Sequence, residues 1–415
     1  MRILHIVPQM NPSTGGVCQA VRTIIAGLAE LEVQNEVVSL DAADAPFLAD
    51  DNFPVHALGV GKGPWAYNAE LLPWLVANMP RFEAVVVHGL WLYYSYAARQ
   101  ALRRVRAAGT APRLYIMPHG MLDPYFQRAP GRRLKAIRNT LYWMLLEQQL
   151  IAEADAILFT CEEERLLAQQ PFQPYRPKRT IVVGLGVEEP PAYQPAMQQA
   201  LLALCPELRG QPYMLFLSRI HEKKGVDLLL EAYASVAAAG PLAEPRQAAA
   251  LTRSVGADTS VAAPQLPKLV VAGPGLDTAY GQRMQELVAN SAVLQKAVLF
   301  PGMLTGDAKW GAFYGCECSV LPSHQENFGI AVVEALACGK PVLISNQVNI
   351  WREIEGAGGG IVAPDTLPGV QKLLGHWQQA AAAEKARLQK RARVTFEQEF
   401  AVGPAAQRFL QAVQP

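Results

Sequence analysis

The sequence predicts two doubly wound, Rossmann-like α/β domains facing each other across a cleft. Three observations carry that reading. A chain of 415 residues exceeds one ordinary hydrophobic core. Short apolar strands alternate with helix-patterned stretches in two separate series, one from Ile3 and one from Tyr213. Between the series, Glu188-Glu189-Pro190-Pro191-Ala192 has the composition of a linker. The chain therefore divides into an N-terminal domain 1–187, a linker 188–210, a C-terminal domain 211–395 and a last helix 396–415.

The first series opens with Ile3–Val7, a buried strand ended by Pro8. Asn11-Pro12-Ser13-Thr14-Gly15-Gly16 follows, then a helical pattern from Val17 to Leu31. Gly15 and Gly16 allow close backbone approach to a ligand, although the same pair serves equally as a plain turn. The three-glycine dinucleotide spacing is missing, which disfavours a dinucleotide-dependent oxidoreductase. Strands are expected at Glu36–Leu40, Val55–Leu58, Ala84–His88, Arg113–Met117, Ala156–Thr160 and Ile181–Val187. His88-Gly89 and His119-Gly120 both stand at carboxyl ends of apolar strands, where ligands bind in open α/β sheets. After Thr160, the run Glu162-Glu163-Glu164 suits the positive end of a helix.

The second series begins with Tyr213–Leu217, followed by Ser218-Arg219-Ile220-His221-Glu222-Lys223-Lys224-Gly225 and a helix over Val226–Val236. Arginine can fork to phosphate oxygens while lysine supplies a point charge, so Arg219 and Lys224 together suit a diphosphate. Residues 237–267, rich in alanine and proline, predict a long mobile insertion. Strands at Lys268–Ala272 and Val298–Gly302 lead to Cys318–Pro322 and then to the most informative stretch, Ser323-His324-Gln325-Glu326-Asn327-Phe328-Gly329-Ile330. A helix is expected over Ala331–Ala337, capped by Gly339 and stopped by Pro341. Glu326 and Glu334 are eight residues apart, close to a whole number of helical turns. They form either a carboxylate pair beside an anion-binding helix mouth or two solvated surface side chains. The last residues, from Phe396, read as amphipathic helix with a break at Gly403-Pro404.

A net charge of +1 gives no global case for nucleic acid. Six scattered cysteines lack metal-ligand spacing and are expected to be reduced thiols, so no metal site is expected. No apolar run reaches membrane-spanning length, and Ile3–Val7 is too short for an export signal. The cytoplasm is the expected location. Between Arg99 and Arg138, ten cationic side chains accompany one carboxylate, Asp123, and aromatics from Trp91 to Trp143 lie in or beside this region. That composition suits an anionic membrane surface at the inner face, or a lipid-diphosphate acceptor, or a solvated basic face over core aromatics.

Four signals in order resemble the retaining glycosyltransferases of family 4, which have the GT-B fold, over nearly the whole chain. They are Gly15-Gly16, His119-Gly120, Ser218-Arg219 with Lys224-Gly225, and Glu326 to Glu334 in the E-x7-E spacing ending at Gly339-Lys340-Pro341. The Pro118–Pro124 run looks like the subset that builds bacterial surface polysaccharides. The resemblance implies a nucleotide-diphosphate sugar, GDP- or UDP-linked, as substrate, with no cofactor. It implies that Arg219 and Lys224 hold the diphosphate and that Glu326 faces the sugar. Asn327, Phe328, Gly329 and Ile330 would offer backbone N–H groups, and Glu334 would bind the ribose. Gly273 and Met303 would line the base pocket, Gly16 with Gly15 would close over the phosphates, and His119 would serve the acceptor side. The acceptor would be a saccharide or lipid-linked saccharide. The chain has no Asp-x-Asp pair to hold a metal, so basic side chains and a helix end would replace one. An epimerase on the same fold, or a non-catalytic scaffold with a relic site, are the competing readings.

Overall fold

The computed structural model describes residues 1–110, 112–128, 133–239 and 266–414. It separates into two compact units, Met1–Glu188 with Gln398–Pro415, and Glu189–Glu397. The expected insertion 237–267 lies outside the described residues from 240 to 265, and residues 237–239 continue the helix Val226–Ala239.

In the first unit, β1 (Arg2–Ile6), β2 (Gln34–Ser39), β3 (Val55–Ala57), β4 (Ala84–His88), β5 (Arg113–Met117), β6 (Ala156–Phe159) and β7 (Thr180–Val182) form one parallel sheet. Its order is β3-β2-β1-β4-β5-β6-β7. Central strands of such a sheet are covered on both faces, which is why β4 reads Ala-Val-Val-Val-His and is buried throughout. The helix after β1 spans Gly16–Ala29, two residues shorter at its end than expected. The chain turns there through Glu32 at φ +59°.

The second unit has β8 (Tyr213–Leu217), β9 (Lys268–Ala272), β10 (Val298–Gly302), β11 (Cys318–Leu321), β12 (Val342–Ser345) and β13 (Gly360–Ala363), in the order β10-β9-β8-β11-β12-β13. All its pairings are parallel. These are two Rossmann-like domains of the GT-B fold class.

Two features differ from expectation. Most of the stretch 188–210, expected to link the domains, is folded into the second unit. Its helix Pro195–Leu204 lies so close to the helix Gly306–Gly315 that a Cβ on Gly311 would fall 2.0 Å from the Met197 carbonyl oxygen. The break expected at Gly403-Pro404 falls instead at Ala401, whose backbone is extended. Pro404 sits in the first turn of the helix Val402–Val413, where its missing N–H costs nothing. That helix packs on Gly16–Ala29 at a point where a Cβ on Gly27 would lie 2.7 Å from that of Ala406. Among the described residues no helix is long and apolar enough to cross a membrane.

Candidate active site

In the second sheet the strand order reverses between β8 and β11, and in an open parallel sheet the loops that diverge at such a point leave a crevice. The loop after β8 carries Ser218–Gly225, and the loop after β11 carries Pro322–Gly329. Strand adjacency thereby brings Lys224 to Glu326, 102 positions apart, and Lys224 Nζ bonds Glu326 Oε2.

Glycine geometry holds these loops together. Gly225 ends the short turn Glu222–Lys224 at φ +65°, and a Cβ there would lie 2.3 Å from the Pro322 carbonyl oxygen. Gly273, at φ +142° after β9, would drive a Cβ to within 1.9 Å of the Ser218 carbonyl oxygen. The His324 N–H donates to Lys223 O at 2.8 Å. Glu326 is strapped on both sides, its N–H donating to Gln347 O and its carbonyl accepting from Asn349 N, each at 2.9 Å.

Gly329, left-handed at φ +78°, leads into the helix Ile330–Ala337, which begins one residue before the expected start. No side chain caps that end, so the first-turn N–H groups leave a partial positive charge at the helix mouth. Glu334, one turn in, accepts from Lys309 Nζ at 2.6 Å. Burial raises the Glu334 carboxyl above its ordinary range, and Lys309 opposes that rise.

These elements surround a cavity of about 480 Å³ whose wall includes Ser218, Met303, Lys309, Glu326, Gly329, Ile330 and Glu334. Five residues expected at the site, Met303, Glu326, Gly329, Ile330 and Glu334, therefore meet on one wall. Lys224 reaches it through Glu326. Arg219 is exposed and makes no hydrogen bond or ion pair among the described residues. Phe328 is buried, and Asn327 Oδ1 accepts from Asn349 Nδ2 at 3.5 Å, so their side chains support the loop. Lys309 was not expected. A single lysine on a helix between two strands carries no pattern of its own.

In the first unit, Gly15 at φ +129° precedes the helix that Gly16 begins, and both are exposed. His119 holds the left-handed φ of +51°, uncommon for residues other than glycine although histidine adopts it more readily than most. The adjacent Gly120 N–H donates to Glu164 Oε1 at 2.5 Å, and Glu164 also accepts from the Thr160 N–H and hydroxyl. Glu164 thus turns into the protein to brace the His119 turn, whereas Cys161 caps its helix. His119 Nε2 lies 2.9 Å from His88 Nδ1, and burial lowers the His119 pKa to about 4.

The basic, aromatic region sorts differently from its composition. Tyr93, Tyr94 and Trp143 are buried core, and Arg99 and Arg106 pair with Glu153 and Asp155. The exposed apolar groups are aliphatic instead: Leu134, Ile137, Leu141, Met144 and Leu145. Arg132 lies outside the described residues. Among the described residues no group of three or more His, Cys, Asp or Glu is placed to hold a metal ion.

Residues 15–186 match the family described as glycosyl transferase 4-like domain, and residues 206–374 match glycosyl transferases group 1. The two matches fall one on each series of strands and together span most of the chain. The D-inositol 3-phosphate glycosyltransferase of Geodermatophilus obscurus is 29% identical over 224 residues, 54% of this chain and 45% of the relative. This chain thus spans less than half the length of that relative. The enzyme of the same name from Frankia alni is 25% identical over 413 residues, 92% of each chain. Among solved structures, Anabaena HepE in complex with UDP-glucose matches with a TM-score of 0.67 and 17% identity, over 100% of this chain and 99% of that one.

Proposed function

We propose that this protein is a retaining, metal-independent hexosyltransferase. It moves a sugar from a UDP- or GDP-linked donor to a hydroxyl of a lipid-linked saccharide in surface polysaccharide assembly. The observation that carries the reading is two lysine-bonded carboxylates on one cavity wall, Glu326 held by Lys224 from behind and Glu334 held by Lys309, beside an uncapped helix mouth.

Each element has a chemical task in that reaction. A diphosphate draws Lys224 away from Glu326, and the free guanidinium of Arg219 adds a second cation. Negative charge growing on the leaving oxygen is stabilised by these cations and by the N–H groups of Gly329 and Ile330. Glu326, released, faces the sugar. Glu334 takes the ribose hydroxyls, with Lys309 as its counter-ion, and Met303 and Gly273 serve the base. The bond from the sugar's anomeric carbon to the leaving oxygen breaks. The acceptor oxygen attaches on the same face, and its proton passes to the departing phosphate. Gly15 and Gly16 serve the phosphates and His119 the acceptor.

The membrane contact rests on a helical face. Leu134, Ile137, Leu141, Met144 and Leu145 are 53–84% exposed at spacings that fall on one side of the helix Arg133–Tyr142 and its continuation. Exposed Lys135 and Arg138 flank the stripe, which makes an anionic bilayer the complementary partner.

The deciding experiment is a donor screen by thermal shift with UDP- and GDP-sugars, followed by transfer to lipid-linked saccharides and to phosphorylated polyols. NMR would read the anomeric configuration of the product. One donor should stabilise the protein and give acceptor-dependent product with its configuration retained. Stabilisation by no donor, an inverted product, or a rearranged sugar made without acceptor would defeat the reading.

A further inference from the structure

Four neighbouring strands of the first sheet each supply one polar side chain to a continuous line. Asn35 lies on β2, His5 on β1, His88 on β4, and His119 just past β5. Ile3 stands opposite Asn35, Val86 opposite His5, and Met117 opposite His88. Each member is therefore two residues further toward the carboxyl edge than the one before. A step of two keeps all four side chains on the same face of the sheet. The links are short: His5 Nε2 to Asn35 Oδ1 3.1 Å, His5 Nδ1 to His88 Nε2 2.9 Å, and His88 Nδ1 to His119 Nε2 2.9 Å. The ring centroids are 5.2 and 5.3 Å apart, the spacing of imidazoles joined nearly end to end by these bonds, and Phe409 stacks beside His5 at 6.3 Å. His5 and His88 are wholly buried.

The end of the line sets the direction of every N–H. Asn35 Nδ2 donates to Val33 O at 2.9 Å, which leaves Oδ1, an acceptor only, facing His5. His5 must then carry its proton on Nε2. A neutral imidazole has one N–H, so His5 Nδ1 accepts, and His88 must donate from Nε2. By the same step His88 Nδ1 accepts from His119 Nε2. Burial keeps all three rings neutral, lowering the pKa of His5 and His119 to about 4 and that of His88 well below its ordinary value.

We infer that Asn35, His5 and His88 are positioning residues that lock His119 in its Nε2–H tautomer, presenting Nδ1 as a hydrogen-bond acceptor for a substrate hydroxyl. The line of hydrogen bonds is independent of the reaction assigned above, and only the hydroxyl rests on that reading. A left-handed His119 braced by Glu164 fits a side chain held for a purpose.

Imidazole nitrogen NMR of the full chain, labelled at histidine, tests the tautomer directly. Wild-type His119 should show a pyridine-type Nδ1 and a pyrrole-type Nε2 at neutral pH. Asn35→Leu removes the terminal acceptor three strands away, and the His119 signals should move to a tautomer mixture. In transfer assays Asn35→Leu should lower kcat about five- to tenfold with KM for the nucleotide sugar little changed. A pyrrole-type Nδ1 in wild-type His119 would overturn the inference without any variant. So would His119 signals and kcat that ignore Asn35→Leu. Loss of the transferase reading alone would leave the NMR result standing.

Discussion

Replacing Lys224 with methionine separates a structural role from a ligand-binding one. The lysine is 7% exposed, and the side chain of its partner Glu326 is 22% exposed. Neither backbone depends on the pair, because Gly225 and the straps from Gln347 and Asn349 hold the loops. Lys224→Met therefore leaves Glu326 in place as an uncompensated carboxylate. Breaking a fully buried pair costs about 3–5 kcal/mol. Glu326 is about one-fifth exposed and can draw in water, so the expected loss is about 2–3 kcal/mol. Adding Glu326→Gln removes the stranded charge and should recover about half of it, so the coupling is at least about 1 kcal/mol and grows by whatever Glu326→Gln costs alone. Urea denaturation of the four proteins in that cycle measures this term. Titration calorimetry with UDP and GDP measures the second role. Losing one charge-assisted contact to a diphosphate should weaken the better ligand roughly 10- to 100-fold. Strictly additive stabilities together with unchanged nucleotide affinity would refute the reasoning.

Two other outcomes follow from the first unit. His5 has a folded pKa of about 4 against 6.5 in the open chain, so between those values the unfolded chain binds a proton that the folded one refuses. Its contribution is complete above about pH 6.5 and is lost as pH falls toward 4, amounting to roughly 3 kcal/mol. His5→Gln should flatten that part of the pH–stability profile from urea midpoints, and an unaltered slope would count against the buried neutral ring. The exposed stripe at Leu134, Ile137 and Leu141 should drive binding to vesicles containing phosphatidylglycerol. Leu134→Asn with Leu141→Asn should abolish cosedimentation at unchanged stability, and persistent binding would end the membrane proposal.

The sequence by itself determined the first sheet, most of the second apart from its edge strand Gly360–Ala363, and the loops that line the cavity. Apolar strands, glycine stops and proline breaks act over a few residues, so Tyr213–Leu217, Gly225, Gly329 and Gly339 could be read in place. The spacing of Glu326 and Glu334 likewise needed only the pitch of a helix. What the sequence could not determine was which side chain meets which. Lys224 reaches Glu326 because β8 and β11 are neighbours, and Lys309 reaches Glu334 across two separate helices. The histidines at two strand ends were legible, but their continuation to His5 and Asn35 depends on the register of four strands. Composition left the basic region open among a membrane face, a lipid-diphosphate site and a solvated face over core aromatics, since aromatics and aliphatics look equally apolar in a linear chain. Packing buried Trp143 and Tyr94 and left Leu134 and Ile137 outside, because burial is decided by partners far away in sequence.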